Sequence, residues 1–235
     1  MRYHFHGHIF DYSALDLLLE YQIELNTISS LTFTYPQTRK KIGSDLSNFF
    51  PNAKILPVSN KGRDFYPFKK SLEEITVLSQ DVIIKWHDKR RNHFSGLLLS
   101  MQERRNLLEY CIPTSELGIP PLLIPFQDCA EVSLSTIRGW LIPLGLRLGN
   151  NTKMLIQFCQ QEGLQWENVI SNAYFPAGGV FAVKYVLLQN SSWLHADPPN
   201  IEYGHGGLDG TWAHSSERWI GVLASRAGQL SEVSF

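Results

Sequence analysis

The sequence has few cysteines and lacks a long apolar run. Its three cysteines, Cys111, Cys129 and Cys159, are far apart and form neither a CxxC pair nor a disulfide framework. The longest apolar candidate, residues 117–126, is interrupted by prolines and is too short to cross a bilayer. Because the N-terminus also does not look like a signal peptide, we expect a cytoplasmic protein, with peripheral attachment to the cytoplasmic membrane face left open.

The chain also lacks an excess of charge of either sign. Its 235 residues carry a formal net charge of −1, so no global field would attract nucleic acid, and none is expected as a partner. Apolar residues make up 43% and charged residues 18%, which is typical of a folded soluble domain. The length fits one large domain or two small ones, and we expect one domain over residues 1–235.

Short β-rich runs alternate with helical patterns over the first ninety residues. The predicted strands are 2–10, 31–35, 54–58 and 81–86, and the predicted helices are 12–25, 38–50 and 65–78. This alternation predicts an α/β fold whose open, mostly parallel sheet carries helices on both faces. Later in the chain, helices are predicted over 102–111, 152–163 and 209–221, and a strand after the glycine turn at 177–179.

Two polar segments are expected to meet at one edge of this sheet. Residues 59–64 follow the third strand and residues 87–91 follow the fourth. Open α/β sheets bind ligands beyond the carboxyl ends of their strands. Alternation places Lys85, His87 and Lys89 on one strand face, next to a glycine turn with backbone amides. Such a cationic cluster suits an anionic ligand such as a pyrophosphate.

Several segments together resemble one protein family. They are HFHGHIFDY (4–12), NKGRDFYPF (60–68), KWHDKRR (85–91), FPAGGVFAV (175–183) and GLDGTWAHSSERWIG (207–221). Their order and spacing cover nearly the whole chain and resemble the rhamnan-synthesis F family of bacterial polysaccharide proteins. The resemblance implies a GT-A-like glycosyltransferase domain in surface-polysaccharide or O-antigen assembly. It also implies a nucleotide-activated sugar donor, such as a rhamnose donor, and a glycan or lipid-linked glycan acceptor.

Under this resemblance, residues 1–100 are expected to bind the nucleotide-sugar. The candidate donor-binding residues are Asn60, Gly62, Arg63, Asp64, Lys85, His87, Lys89 and Arg90. Asp64 or Asn60 would hold the base or ribose, and Arg63 would meet a phosphate. The alternative for Asp64 is a purely structural role as the N-cap of the helix that begins with Phe65.

The metal requirement is predicted from the end of the fourth strand. Many GT-A enzymes place two acids there to hold a divalent ion, whereas this chain has one acid, Asp88, among cations. We therefore expect cationic side chains to stabilise the diphosphate and no cofactor to be required. Asp88 alone could still ligate Mg²⁺ or Mn²⁺ through waters. The alternating His4, His6 and His8 are expected to be hydrogen-bonded rather than to share one metal ion.

Residues 101–235 are expected to form the acceptor-binding and catalytic half. The candidate catalytic residues, Asp209, His214 and Glu217, lie in or beside one predicted helix. Asp209 matches the family's aspartate-glycine-threonine motif, which implies that it is the base of an inverting reaction. The structural alternative is that Asp209 or Thr211 caps the helix and that Glu217 and Arg218 form surface pairs.

The candidate acceptor or sugar contacts are Ala177, Gly178, Gly179 and Trp212. Glycine lets a backbone approach a sugar closely, and Trp212 would either stack on a sugar face or belong to the core. The expected function is thus an inverting glycosyltransferase. The alternatives are a non-catalytic GT-A-like module that binds a nucleotide-sugar or glycan, and a metal hydrolase built on the N-terminal histidines.

Overall fold

The structure is a computed structural model that describes residues 2–88, 97–114, 116–196 and 210–234. The strands are β1 (Tyr3–His8), β2 (Leu31–Pro36), β3 (Lys54–Val58), β4 (Val82–His87), β5 (Val132–Ile137), β6 (Leu141–Pro143), β7 (Tyr174–Pro176), β8 (Phe181–Lys184) and β9 (Gln229–Val233). The helices are α1 (Tyr12–Glu20), α2 (Gln22–Asn26), α3 (Lys40–Phe49), α4 (Phe65–Glu74), α5 (Met101–Glu109), α6 (Ile124–Asp128), α7 (Thr152–Gln161), α8 (Trp166–Asn172), α9 (Tyr185–Gln189), α10 (Ser192–His195) and α11 (Trp212–Ala227). Short 3₁₀ turns lie at Pro121–Leu123, Leu144–Leu146 and Gly149–Asn151.

Within the described part of the chain, seven strands form one sheet in the order β3-β2-β1-β4-β8-β5-β9. The pairs β3–β2, β2–β1, β1–β4 and β5–β9 are parallel, whereas β8 runs antiparallel to β4 and β5. The predicted α/β fold with a mostly parallel sheet is confirmed, and it is the architecture of a single Rossmann- or GT-A-like domain. Strands β5, β8 and β9 come from the second half of the chain and complete the sheet that the first half begins.

Helices cover both faces of the sheet, as predicted, and apolar strand residues pack against them on each side. On one face, Phe5, Phe33 and Ile84 pack with residues of α1, α3 and α5. On the other face, Ile83 and Phe181 pack with residues of α4, α7 and α11. Burial of these side chains on two faces stabilises the central strands. Among the described residues, no helix is long and apolar enough to cross a membrane.

The helix predicted over 12–25 is in fact two helices, α1 and α2. Tyr21 separates them because its backbone leaves the helical region (φ −117°, ψ 27°). Its hydroxyl donates a hydrogen bond to Glu109 on α5 at 2.6 Å. The break thus coincides with a long-range contact, which the local helical spacing does not reveal.

The N-terminal histidines are buried and hydrogen-bonded, as predicted. Nε2 of His4 lies 2.9 Å from Asp81, while Nε2 of His6 and Nδ1 of His8 lie 3.1 Å and 3.0 Å from the hydroxyl of Thr34. Across residues 2–88, 97–114, 116–196 and 210–234, no three His, Cys, Asp or Glu side chains are grouped as metal ligands would be.

Candidate functional site

A cavity of about 600 Å³ opens at the carboxyl end of β4. The predicted site residues that line it are Arg63, Asp64, His87, Gly178, His214 and Glu217. The other lining residues are Phe65, Leu146, Arg147, Gly149, Phe175, Ala213 and Arg218. The structure therefore brings the segment after β3, the end of β4, the glycine turn before β8 and the start of α11 to one place.

The carboxylate of Asp64 connects the segment after β3 to β4. Asp64 forms an ion pair with Lys85, and its Oδ2 lies 3.2 Å from Nδ1 of His87. Lys85 and His87 therefore share one strand face, and the segments after β3 and β4 meet at one edge of the sheet, as predicted. Asp64 does occupy the N-cap position of α4, as the structural alternative predicted, but its side chain makes no capping hydrogen bond. The carboxylate instead forms an ion pair with the buried ammonium of Lys85.

Lys85 is a buried residue rather than part of the cavity wall. Its side chain is 0% exposed, and its ammonium lies 4.2 Å from the ring centroid of Phe65. It also donates to the carbonyl of Gly179 at 2.9 Å. The expectation that Lys85 contacts the donor directly therefore needs correction. Burial directs its charge to Asp64, so it positions the carboxylate that does line the cavity.

The same buried charges control the protonation of the nearby groups. Burial alone would raise the pKa of Asp64, but the charges of His87 and Lys85 hold it well below its usual range. Burial lowers the pKa of His8 from 6.5 to about 4, although the charge of Asp64 opposes this shift. Burial, together with the charge of Lys85, also lowers the pKa of His6 well below its usual value. His6 and His8 are therefore neutral imidazoles near neutral pH.

The glycine turn before β8 fits tightly against this cluster. Gly179 has a φ of +71°, and a Cβ at this position would lie 3.1 Å from His87 and 3.2 Å from the Asp64 carboxylate. The preceding Gly178 donates its amide to Oε1 of Glu217 at 2.8 Å. Glycine is needed here both for the left-handed backbone and for the close approach.

Glu217 and Arg218 do not lie at the surface, as the structural alternative predicted, although Nη1 of Arg218 lies 4.0 Å from Oε2 of Glu217. Both are buried, because α11 packs against β7. Glu217 binds the amide of Gly178, as described above. Arg218 donates to the carbonyls of Arg147 (2.7 and 2.9 Å) and His214 (3.0 Å). Arg218 therefore holds the segment around Arg147 against the first turn of α11.

Arg63 and His214 meet across the cavity. Nη1 of Arg63 lies 2.5 Å from Nε2 of His214, and Nδ1 of His214 lies 2.8 Å from the hydroxyl of Thr211. Thr211 is the N-cap of α11, which confirms one of the two capping residues that the sequence suggested. Arg63 adopts a left-handed backbone conformation with a φ of +52°.

Other predicted contacts lie away from the cavity wall. Trp212 is 2% exposed and stacks on Trp193 with 6.0 Å between ring centroids, so it belongs to the core rather than to a sugar-binding surface. Ala177 is buried and donates its amide to the carbonyl of Trp140 at 2.8 Å. Asn60 is exposed, and Gly62 is buried with its carbonyl at the start of α4.

Asp88, the candidate metal ligand, is paired with an arginine. Its Oδ1 and Oδ2 accept hydrogen bonds from Nε and Nη2 of Arg104 at 2.7 Å and 2.6 Å. A metal ion at Asp88 would therefore compete with a bidentate guanidinium. Lys89, Arg90 and Asp209 lie outside the described residues, and their roles stay predictions.

The sequence analysis did not single out Arg147, Phe175 and Gly149 as site residues. Arg147 follows the 3₁₀ turn Leu144–Leu146, and Gly149 begins the next one. Phe175 lies in β7, and the guanidinium of Arg218 sits 4.8 Å from its ring centroid. Only the packing of α11 shows that this segment reaches the cavity.

No family model matches the sequence. The chain is similar to the uncharacterized protein WxcX of two strains of Xanthomonas campestris pathovar campestris. The identity is 22% over 225 residues for strain B100 and 21% over 225 residues for the other strain. The matched region covers 94% of this chain and 31% of WxcX. The chain thus has a distant relative over almost its whole length and spans under a third of that relative.

Proposed function

We propose that this chain is an inverting glycosyltransferase domain. It would transfer a sugar, such as rhamnose, from a nucleoside-diphosphate donor to a growing surface polysaccharide or O-antigen. The observation that carries the proposal is the cavity, which lies beyond the carboxyl end of β4 and combines arginines with two carboxylates. The resemblance of the motifs to the rhamnan-synthesis F family supports the choice of polymer and sugar.

The donor diphosphate would bind the cationic side of the cavity. Arg63 and Arg147 line it, and an arginine fork matches the geometry of a phosphate. Three arginines and two carboxylates line the wall, which leaves an excess of one positive charge before His87 and His214 are counted. Such an excess would stabilise the charge that develops on a departing diphosphate. We propose a thymidine or uridine diphosphate that binds without an absolute requirement for a divalent metal.

The acceptor would bind near the start of α11. A carboxylate takes the proton of the acceptor hydroxyl, the hydroxyl oxygen forms a bond to the anomeric carbon, and the bond from that carbon to the diphosphate breaks. Asp209, which matches the family motif, is the proposed base. Glu217 lines the cavity in the second turn of α11, where its bond to Gly178 would hold the glycine turn beside the sugar.

Sugar transfer tests the proposal directly. The purified protein would be incubated with thymidine- and uridine-diphosphate sugars and a panel of glycan and lipid-linked glycan acceptors, and the products would be followed by mass spectrometry. We expect an extended acceptor and an equivalent amount of nucleoside diphosphate. Donor binding without transfer would favour the non-catalytic module, and the absence of both would contradict the proposal.

A further inference from the structure

The contact between Arg63 and His214 defines the protonation of the imidazole. A guanidinium only donates hydrogen bonds, so Nε2 of His214 must accept the bond from Arg63. The proton of the neutral ring is then on Nδ1, which donates to the hydroxyl of Thr211 at 2.8 Å. The lone pair of Nε2 therefore points toward Arg63 and into the cavity that both residues line.

Arg63 is held for this contact by an unusual backbone. Its φ of +52° lies in the left-handed region, next to Gly62 with a φ of +58°. A side chain in this region is strained, and such strain is found where a site positions a group for a ligand. Arg63 also lies next to Asp64, whose carboxylate is held by Lys85 and His87. The guanidinium thus reaches across the cavity to His214, although the residue itself is exposed.

We propose that Arg63 exchanges partners when the donor binds. In the absence of donor, Arg63 binds His214; with donor bound, its guanidinium binds the diphosphate. Nε2 of His214 then accepts a hydrogen bond from a second hydroxyl of the acceptor sugar, which orients the reacting hydroxyl for the base. This inference rests on the proposed function, since it assigns the partners of two residues in that same site.

The exchange is favourable for a simple electrostatic reason. A hydrogen bond between a guanidinium and a phosphate carries opposite full charges and is stronger than one between a guanidinium and a neutral imidazole. A diphosphate would therefore displace His214 from Arg63. Because the lone pair of Nε2 becomes available only after this step, the donor should bind before the acceptor.

Nuclear magnetic resonance of the imidazole nitrogens tests the exchange. The ¹⁵N signals of His214 would be recorded with and without uridine or thymidine diphosphate. We expect the Nε2 signal to shift on addition of the nucleotide while Nδ1 keeps its proton. His195 provides the control, since its Nε2 binds the carbonyl of Gln189 and should not respond. An unchanged His214 signal at saturating nucleotide would overturn the exchange.

Two variants of His214 give an independent test. His214→Ala removes the partner that competes for Arg63, so the nucleoside diphosphate should bind about two- to tenfold more tightly, as expected for one net hydrogen bond. The KM for the acceptor should rise in the same variant. His214→Gln, whose amide oxygen can still accept from Arg63, should bind nucleotide like the wild type.

The outcomes separate this inference from the proposed function. If the wild type binds no nucleoside diphosphate, both are overturned. If the wild type binds it but His214→Ala binds equally or more weakly, only the partner exchange is overturned. His195→Ala should leave nucleotide affinity unchanged, which controls for the loss of an imidazole elsewhere on the surface.

Discussion

The carboxylate of Asp64 and the ammonium of Lys85 form an ion pair at the base of the cavity. Lys85 is completely buried, whereas the side chain of Asp64 is 16% exposed. Burial of two charges costs desolvation free energy that their attraction repays only in part. Apolar residues of the same volume would stabilise the fold about as well as this pair. We therefore infer that its main role is to fix the position of Asp64.

Loss of Lys85 should destabilise the protein strongly. Lys85→Met leaves Asp64 as a poorly solvated charge without its ammonium partner, so we expect a loss of about 3–5 kcal/mol in the free energy of unfolding, measured in urea. Lys54→Met is the control, because Lys54 pairs with Glu74 at an exposed position and should lose less than about 1 kcal/mol. Equal losses in the two variants would show that the buried pair has no special role.

Substitution of Gly179 should affect both stability and the site. Gly139 and Gly179 both have a left-handed backbone, with φ of +79° and +71°, but only Gly179 has neighbours within 4 Å of an added Cβ. Gly139→Ala should therefore report the backbone cost alone, about 1–2 kcal/mol. Gly179→Ala should cost more and should also weaken nucleotide binding, because its methyl group would displace His87 or Asp64. The measurements are urea unfolding and calorimetric titration, and similar effects of the two variants would refute this packing argument.

The free energy of unfolding should decrease as the pH is lowered from about 6.5 to about 4. The pKa of His8 is lowered from 6.5 to about 4 in the folded state, so the unfolded chain binds more protons in this range. A difference of this size corresponds to about 3 kcal/mol lost as the pH falls. His6, whose pKa is also lowered by burial, contributes with the same sign. Asp64 stays ionised here, because its pKa lies well below its usual range.

The pH prediction is checked by urea unfolding at about pH 7 and about pH 4.5. His8→Gln removes one titrating group and keeps a side chain that can bond Thr34, so its stability should fall less between these two conditions. His6 remains in this variant. Because burial also lowers its pKa, part of the fall in stability at low pH should remain. An identical slope for the wild type and His8→Gln would exclude His8 as the cause.

Asp209→Asn should reduce turnover by at least about a hundredfold, because a general base contributes roughly 10²–10⁴-fold to rate. Nucleotide affinity and melting temperature should change little. Glu217→Gln is the comparison: it can still bind the amide of Gly178, and it should reduce turnover less. Near-normal turnover of Asp209→Asn would move the base to Glu217 or His214, and loss of activity through unfolding would indicate a structural role for Asp209.

The alternation of strands and helices was enough to predict the first half of the fold. It also placed Lys85 and His87 on one strand face, because the side-chain direction in a strand follows from the sequence position. The position of β8 between β4 and β5 could not be predicted in this way. Strand order depends on which apolar surfaces pack together over long separations in the chain, and local patterns do not record this.

The motif residues after the strand ends, in the glycine turn before β8 and in α11 were predictable as site residues, and the rest of the lining was not. The sequence around Asp64 is typical of a helix N-cap. The sequence did not show that the Lys85 side chain is buried and binds the Asp64 carboxylate instead. Trp212 stacks in the core, since α11 turns that face inward against Trp193. Arg147 lies at the site because Arg218 donates a hydrogen bond to its carbonyl. The two residues are 71 positions apart in the chain.

The central claim is that the cavity binds a nucleotide-sugar donor through cationic side chains. Calorimetric titration with uridine and thymidine diphosphate in the presence of a chelator tests it most directly. We expect the wild type to bind, and the double variant Arg63→Gln/Arg147→Gln to bind at least about tenfold more weakly, which is about 1.4 kcal/mol. Arg105→Gln, at an exposed pair with Glu20, should bind like the wild type. If the chelator abolished binding, or if the double variant bound as well as the wild type, the claim would be contradicted.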